Sequence, residues 1–162
     1  MTQAVDFSLI HVESGGIPFV GQVIDQHGYR SRFGVNRVRE TGDPTAHAEI
    51  VAMRSALAER DEPTLRGMTL LATGEPCGMC YRFALEHEVS RVVVAIESEE
   101  VAELGFDYRA SYALLGPALA RCSAIRVLVP VKSGREPFRR YLEINRAGRA
   151  QPLDQRTTRG IT

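Results

Sequence analysis

The stretch "PTAHAEIVAM" (residues 44–53) decides the fold, because it places a histidine and a glutamate at the start of one helix. Proline is tolerated at or before a helix start, and from His47 to about Arg60 the apolar residues recur at helical spacing. A second proline precedes a pair of cysteines in "EPCGMC" (75–80). The two stretches therefore predict two helices whose first turns carry side chains able to bind a metal.

His47, Cys77 and Cys80 form a ligand set suited to zinc, since imidazole nitrogen and thiolate sulfur are its usual protein ligands. The partial positive charge at each helix N-terminus favours the thiolate form of a cysteine. Three protein ligands leave a fourth tetrahedral position for water, which is typical of a catalytic rather than a structural zinc. We therefore expect one Zn²⁺ per chain.

Glu49 starts the same helix as His47, and this position favours a general acid and base over a fourth ligand. A carboxylate there can take a proton from the activated water and pass it to a departing amine. The known signature of zinc deaminases is H-x-E followed by P-C-x-x-C, and this chain has "HAE" (47–49) and "PCGMC" (76–80). A thioredoxin-like redox pair would explain the cysteine spacing alone but not the histidine and glutamate.

The composition limits the class of protein. The 162 residues are 44% apolar and carry zero net charge, which suits one domain with a real core. Zero net charge provides no field to attract a polyanion, which weakens nucleic-acid binding without excluding a local basic patch. The N-terminus lacks signal-peptide features, and no apolar run approaches the roughly 20 residues that span a bilayer. We expect a cytoplasmic protein without a membrane segment.

Strand-like and helix-like segments alternate along the chain. Strands are predicted at 18–25, 29–36, 68–73, 91–96 and 125–131, and helices at 1–13, 47–60, 77–86 and 135–147. A hairpin followed by βα units predicts an α/β sandwich with a mixed sheet. Residues 1–147 are expected to form a single domain, with Gly148 following the last helix. Residues 148–162 are expected to form a C-terminal tail that is mobile or linked to a partner.

The stretches "GDPTAHAEIVAMRSA" (42–56) and "EPCGMC" resemble the cytidine deaminase-like superfamily. Within it, the chain is most similar to bacterial guanine deaminases and next to tRNA adenosine deaminases. The resemblance implies a three-layer α/β/α sandwich around a five-stranded mixed sheet. It also implies hydrolytic removal of an amino group from a base, and a homodimer.

The stretch "AELGFDYRASY" (102–112) is similar to the glycine-phenylalanine-aspartate segment of guanine deaminases. The resemblance implies that Asn36 hydrogen-bonds the base, Asp107 holds the polar edge of a purine, and the backbone amide of Ala48 meets a carbonyl oxygen. Glu86 stands where guanine deaminases have a tryptophan, and could pair with exocyclic amino groups. The alternatives are a helix-surface carboxylate for Glu86, and a turn or cap role for Asn36 and Asp107.

The function hypothesis is deamination of guanine to xanthine and ammonia. Cytosine, an aza-base or an aminotriazine stays open as substrate, because Glu86 and the first strand "PFVGQV" (18–23) depart from the guanine deaminase pattern. A tRNA adenosine-to-inosine deaminase is a further alternative, supported by the basic residues of the last helix. A non-catalytic zinc-stabilised protein is a distant one, because such a site would normally have four protein ligands.

Overall fold

Five strands form one mixed sheet in the computed structural model, which describes residues 1–150. In chain order the strands are β1 (Val20–Ile24), β2 (Gly34–Val35), β3 (Thr69–Ala72), β4 (Arg91–Val94) and β5 (Arg126–Leu128). Their order across the sheet is β2-β1-β3-β4-β5. β1 is antiparallel to both of its neighbours, whereas β3, β4 and β5 run parallel. The prediction of a five-stranded mixed sheet is confirmed.

Seven α-helices and one 3₁₀ segment connect the described strands. The helices are α1 (Thr2–Glu13), α2 (Val38–Thr41), α3 (Ala48–Arg60), α4 (Gly78–Glu86), α5 (Ser98–Glu103), α6 (Leu119–Ile125) and α7 (Glu136–Ala150). The 3₁₀ segment is Arg109–Ala118, with a kink at Gly116. Within the part of the chain that the structure describes, no helix is both long and apolar enough to cross a membrane.

The helices pack in layers on the two faces of the sheet, giving the three-layer α/β/α sandwich. The larger core joins α3 and α4 to one sheet face, where Ile50 and Met53 meet Leu70, Val92 and Val94. These strand residues alternate with Leu71 and Val93, which face the opposite side of the sheet, as the two-residue period of a strand requires. On the opposite side α1 packs against α7, and Phe138 of α7 joins a second apolar cluster with Ile96 and Val101.

The first hairpin holds the start of α3 close to the sheet. A Cβ added at Gly34 would lie 2.3 Å from the carbonyl oxygen of Ala48 and 2.5 Å from the nitrogen of Ala52. At Gly21 an added Cβ would lie 2.9 Å from the Cα of Glu49. The two glycines therefore allow α3 to approach β1 and β2 more closely than any side chain would permit.

Three parts of the predicted secondary structure need correction. The short helix α2 lies in a stretch where no helix was predicted. Gly148 does not follow the last helix, since α7 extends to Ala150; one internal glycine costs only about 1 kcal/mol relative to alanine. The region between 98 and 125 contains α5, the 3₁₀ segment and α6, which were not predicted. The predicted tail, residues 148–162, lies outside the described residues from 151 onward.

Candidate metal and active site

Two helix starts converge on one point at the end of the sheet. His47 is the N-cap of α3 and Cys77 is the N-cap of α4, and both have extended backbone angles. Cys80 follows in the first turn of α4 and is fully buried. Because the N-terminus of a helix is its positive end, both helices favour negative charge on the groups that meet there.

The three predicted metal ligands are brought together. The Nδ1 atom of His47 lies 3.6 Å from the Sγ atoms of both Cys77 and Cys80, and the two sulfurs are 3.6 Å apart. Tetrahedral zinc with sulfur at 2.3 Å and nitrogen near 2.0 Å would separate its ligand atoms by about 3.5–3.8 Å. The spacing and the chemistry of these donors therefore fit a zinc ion.

Hydrogen bonds within the cluster shift the protonation of its members in opposite directions. The hydrogen bond between the two thiol groups, together with the hydrogen bond to His47, lowers the pKa of Cys77 to about 4. The hydrogen bond between His47 and Cys77 raises the pKa of His47. The hydrogen bond between Cys77 and Cys80, together with burial, raises the pKa of Cys80. The cluster thus favours negative charge on Cys77, which is the form that a metal requires.

Glu49 lies beside the cluster but is not one of its three ligand groups. Its side chain is buried, and Oε2 is 3.4 Å from the Sγ atom of Cys80. Burial raises the pKa of the Glu49 carboxyl to about 7, and the negative charge on Cys77 adds to this rise. The structure therefore brings Glu49 together with the ligand atoms, in a setting where its carboxyl can accept or release a proton.

A small cavity of about 140 Å³ opens onto the cluster. Its lining residues are Ile17, Phe19, Asn36, His47, Ala48, Glu49, Glu75, Cys77 and Tyr108. Asn36 Oδ1 accepts a hydrogen bond from the backbone of Val38 at 3.2 Å. Ala48 is the first residue of α3, where backbone N–H groups have no partner within the helix. Two of the four predicted base contacts, Asn36 and Ala48, therefore line this cavity.

The other two predicted base contacts do not line the cavity. Glu86 lies at the C-terminal end of α4, is exposed and pairs with Arg82 at 2.8 Å. It lines a different groove, together with Met79 and Leu114. At about 100° per residue, Glu86 is turned about 240° around the helix from Cys80. The helix-surface alternative therefore describes its position.

Asp107 points toward solvent rather than into the cavity. Its carboxylate accepts two hydrogen bonds from the Arg109 guanidinium, at 2.9 and 2.7 Å, and one from the Arg109 backbone. These hydrogen bonds lower the pKa of Asp107 to about 2. The carboxylate thus caps the start of the 3₁₀ segment, which was the alternative interpretation of this residue.

Four cavity residues were not predicted from the sequence: Ile17, Phe19, Glu75 and Tyr108. Two of them had a signal, because Glu75 directly precedes the "PC" of the cysteine motif and Tyr108 directly follows Asp107. Tyr108 donates a hydrogen bond to the carbonyl oxygen of Glu75 and packs edge-on against Phe19. Phe19 belongs to the entry into β1, where no local pattern marks it as a cavity residue.

Residues 1–96 match the model of the cytidine and deoxycytidylate deaminase zinc-binding region. This stretch includes all three ligand residues and Glu49. The chain belongs to the cytidine and deoxycytidylate deaminase family.

Several proteins of known activity align with parts of the chain. A guanine deaminase of Bacillus subtilis is 36% identical over 108 residues, covering 66% of this chain and 69% of that protein. A tRNA-specific adenosine deaminase of Aquifex aeolicus is 36% identical over 81 residues, covering 50% and 53%. A tRNA(Ile)-lysidine synthase of Deinococcus radiodurans is 34% identical over 105 residues, or 65% of this chain, but the match spans only 18% of that protein.

A solved structure extends the comparison beyond the two motifs. The crystal structure of the Bacillus subtilis guanine deaminase superposes with a TM-score of 0.65 and 30% identity, covering 88% of this chain and 90% of that one. The likeness thus includes the described elements outside residues 1–96.

Proposed function

We propose that this deaminase-family chain is a zinc-dependent hydrolytic deaminase of a nucleobase, with guanine as its preferred substrate. The observation that carries the proposal is the position of the buried Glu49 carboxylate, 3.4 Å from one of three atoms spaced as zinc ligands. A small cavity opens directly onto this group. The similarity to a guanine deaminase supports the choice of base.

His47, Cys77 and Cys80 would hold one zinc ion per chain. Bound zinc supplies a water whose pKa is lowered to about 7 and polarises it as a nucleophile. His47 and Cys77 line the cavity, whereas Cys80 is fully buried. The chain itself contributes the charge and the geometry of the ligand set.

Glu49 would act as the general acid and base. Its carboxylate would accept a proton from the attacking water and pass it to the ring nitrogen next to the reacting carbon. It would then take a second proton from the new hydroxyl group on that carbon and deliver it to the departing amine. For guanine the new C–O bond forms at C2 and the C–N bond to the amino group breaks, giving xanthine and ammonia. Positioned proton transfer of this kind contributes about 10²–10⁴-fold to a rate.

Asn36 and Ala48 would orient the base within the cavity. The Asn36 side-chain oxygen accepts a hydrogen bond from the Val38 backbone. Its amide nitrogen has no protein partner among the described residues and could donate to the base. The backbone N–H of Ala48, at the first position of α3, would meet a carbonyl oxygen of the ring. The rings of Phe19 and Tyr108 supply apolar surface for a planar heterocycle.

Release of ammonia from a panel of substrates tests the proposal. The panel contains guanine, cytosine, adenine, their nucleosides, 8-azaguanine, an aminotriazine and a tRNA anticodon stem-loop. We expect guanine to give the highest kcat/KM. Turnover of the adenosine in the stem-loop but not of free guanine would favour the tRNA alternative, which the Aquifex relative supports. Zinc binding without any turnover would favour the non-catalytic alternative.

We further propose that the enzyme is a cytoplasmic homodimer. The three cysteines of the chain are free, and two belong to the zinc cluster, which suits a reducing compartment. Exposed apolar side chains at Leu114 and Leu119 offer surface for a second copy. Light scattering after size-exclusion chromatography checks the dimer, for which twice the chain mass of 17.9 kDa is expected.

A further inference from the structure

The backbone around Cys77 is held by hydrogen bonds from one neighbouring segment, residues 108–112. The hydroxyl of Tyr108 donates to the carbonyl oxygen of Glu75, and the hydroxyl of Tyr112 donates to that of Pro76 at 2.9 Å. Beyond Cys77, the backbone N–H of Gly78 donates to the Ser111 hydroxyl at 2.8 Å. Each of the three consecutive peptide units from residue 75 to residue 78 therefore bonds to this one segment.

Close packing accompanies these bonds. A Cβ added at Gly78 would lie 2.3 Å from the carbonyl oxygen of Ser111. Only glycine at this position lets the start of α4 approach the segment closely enough for the bond between Gly78 and Ser111. Pro76 has no backbone N–H, so only its carbonyl oxygen can form a backbone hydrogen bond.

Both tyrosines are suited to act as fixed neutral donors. Burial raises the pKa of Tyr108 and of Tyr112, so each hydroxyl keeps its proton throughout the physiological range. Their rings pack edge-to-face with centroids 6.4 Å apart, and Phe19 packs against Tyr108 at 6.1 Å. These ring contacts favour the orientations in which the two hydroxyls reach the carbonyl oxygens of Glu75 and Pro76.

We propose that Tyr108, Ser111 and Tyr112 are positioning residues for the metal ligand Cys77. They hold the loop before α4 so that the sulfur of Cys77 stays 3.6 Å from both His47 Nδ1 and Cys80 Sγ. Groups that orient metal ligands typically change metal affinity or activity by 10–100-fold when they are removed. The inference rests on the proposed zinc site, but not on the identity of the substrate.

Zinc release from variant proteins tests the proposal. The variants are Tyr112→Phe, Ser111→Ala and the double variant Tyr108→Phe with Tyr112→Phe. Each removes a hydrogen-bonding hydroxyl, and the tyrosine variants keep the aromatic ring. Matched controls are Tyr29→Phe and Ser123→Ala, which remove hydroxyl bonds to Glu59 and to the Leu119 backbone, away from the cluster. Transfer of zinc from each purified holoprotein to a chromogenic chelator gives the dissociation rate, and calorimetric titration gives the affinity.

We expect at least 10-fold faster zinc release or weaker affinity in the double variant and smaller effects of the same sign in the single ones. Both controls should match the wild type. A merely structural role predicts a lower melting temperature with zinc affinity unchanged, and that result would overturn the proposal. If the double variant does not fold, equal zinc release from Tyr112→Phe and Tyr29→Phe overturns it instead.

The zinc-release assay and the ammonia-release panel together test the positioning role separately from the proposed function. Wild-type protein that holds zinc but releases no ammonia from any base contradicts the proposed activity and leaves the role of residues 108–112 standing. Unchanged zinc release in the variants contradicts only the positioning role.

Discussion

Glu49 Oε2 lies 3.4 Å from Cys80 Sγ, although the two residues belong to different helices and are 31 positions apart in the chain. Both side chains are almost completely buried. This relationship brings a carboxylate to the edge of the ligand cluster while leaving the ligand atoms at zinc spacing. We therefore expect that mutation can separate the proposed proton transfer from metal binding.

Replacing Glu49 by glutamine tests the proton-transfer role. Glutamine has nearly the same shape but cannot carry a proton between water and amine, so kcat should fall by at least about 10²-fold. Zinc content, measured by atomic emission, should stay at one per chain. Activity close to that of the wild type would refute the assigned role.

The third cysteine provides a matched control for the metal ligands. Cys80→Ala should lose stoichiometric zinc and all measurable activity, because it removes one of three protein ligands. Cys122 is also buried, but it belongs to α6 and packs in the apolar core. Cys122→Ala should keep one zinc per chain, with modest loss of stability only. Loss of zinc from the Cys122 variant would contradict the assignment of the ligand set.

Asn36 and Glu86 are expected to differ in their effect on substrate. Asn36→Asp keeps the oxygen that accepts the bond from Val38 but removes the two amide donors. We expect kcat/KM to fall about 10-fold or more, since a lost hydrogen bond in a buried site costs about 1–3 kcal/mol.

Glu86→Gln is the control for this comparison, since the exposed Glu86 side chain lies outside the cavity. Its kcat/KM should stay within about twofold of the wild type, because exposed ion pairs contribute about 0–1 kcal/mol. A large loss in the Glu86 variant would mean that substrate reaches the second groove.

Gly34→Ala tests the close contact between β2 and α3. The added methyl group would clash with backbone atoms of Ala48 and Ala52. The free energy of unfolding should therefore fall by about 1–3 kcal/mol, and the melting temperature should fall with it. Activity should fall as well, because Ala48 and Glu49 move with the start of α3. Gly28→Ala, in open space at positive φ, should lower stability without changing kcat. Equal kcat in both variants would contradict the link between this contact and the site.

The metal cluster could be predicted because its chemistry is written in short local spacings. His47, Cys77 and Cys80 each lie at a helix start that proline and helical periodicity mark in the sequence. Short apolar segments bounded by turn residues identified the strands, although β2 is only two residues long. Asn36 and Ala48 were predicted from family resemblance, and both line the cavity.

Residues that depend on irregular backbone were harder to predict. Asp107 and Tyr108 are adjacent, yet one turns to solvent and the other into the cavity. The Arg109 guanidinium holds the Asp107 side chain, and the Glu75 carbonyl group holds the Tyr108 side chain. No periodic pattern in the sequence predicts either contact. The 3₁₀ segment that follows has no apolar repeat long enough to reveal it.

The ligand set also makes the cation a removable cross-link. His47 and Cys77 are 30 residues apart, so an ion held by both closes a loop between the starts of two helices that pack on one face of the sheet. A ligand that binds only the folded chain stabilises it by about 1.4 kcal/mol for each tenfold rise in its free concentration above Kd. The lifetime of this protein in a cell would then follow the supply of zinc, so that metal starvation removes the catalyst itself as well as its activity.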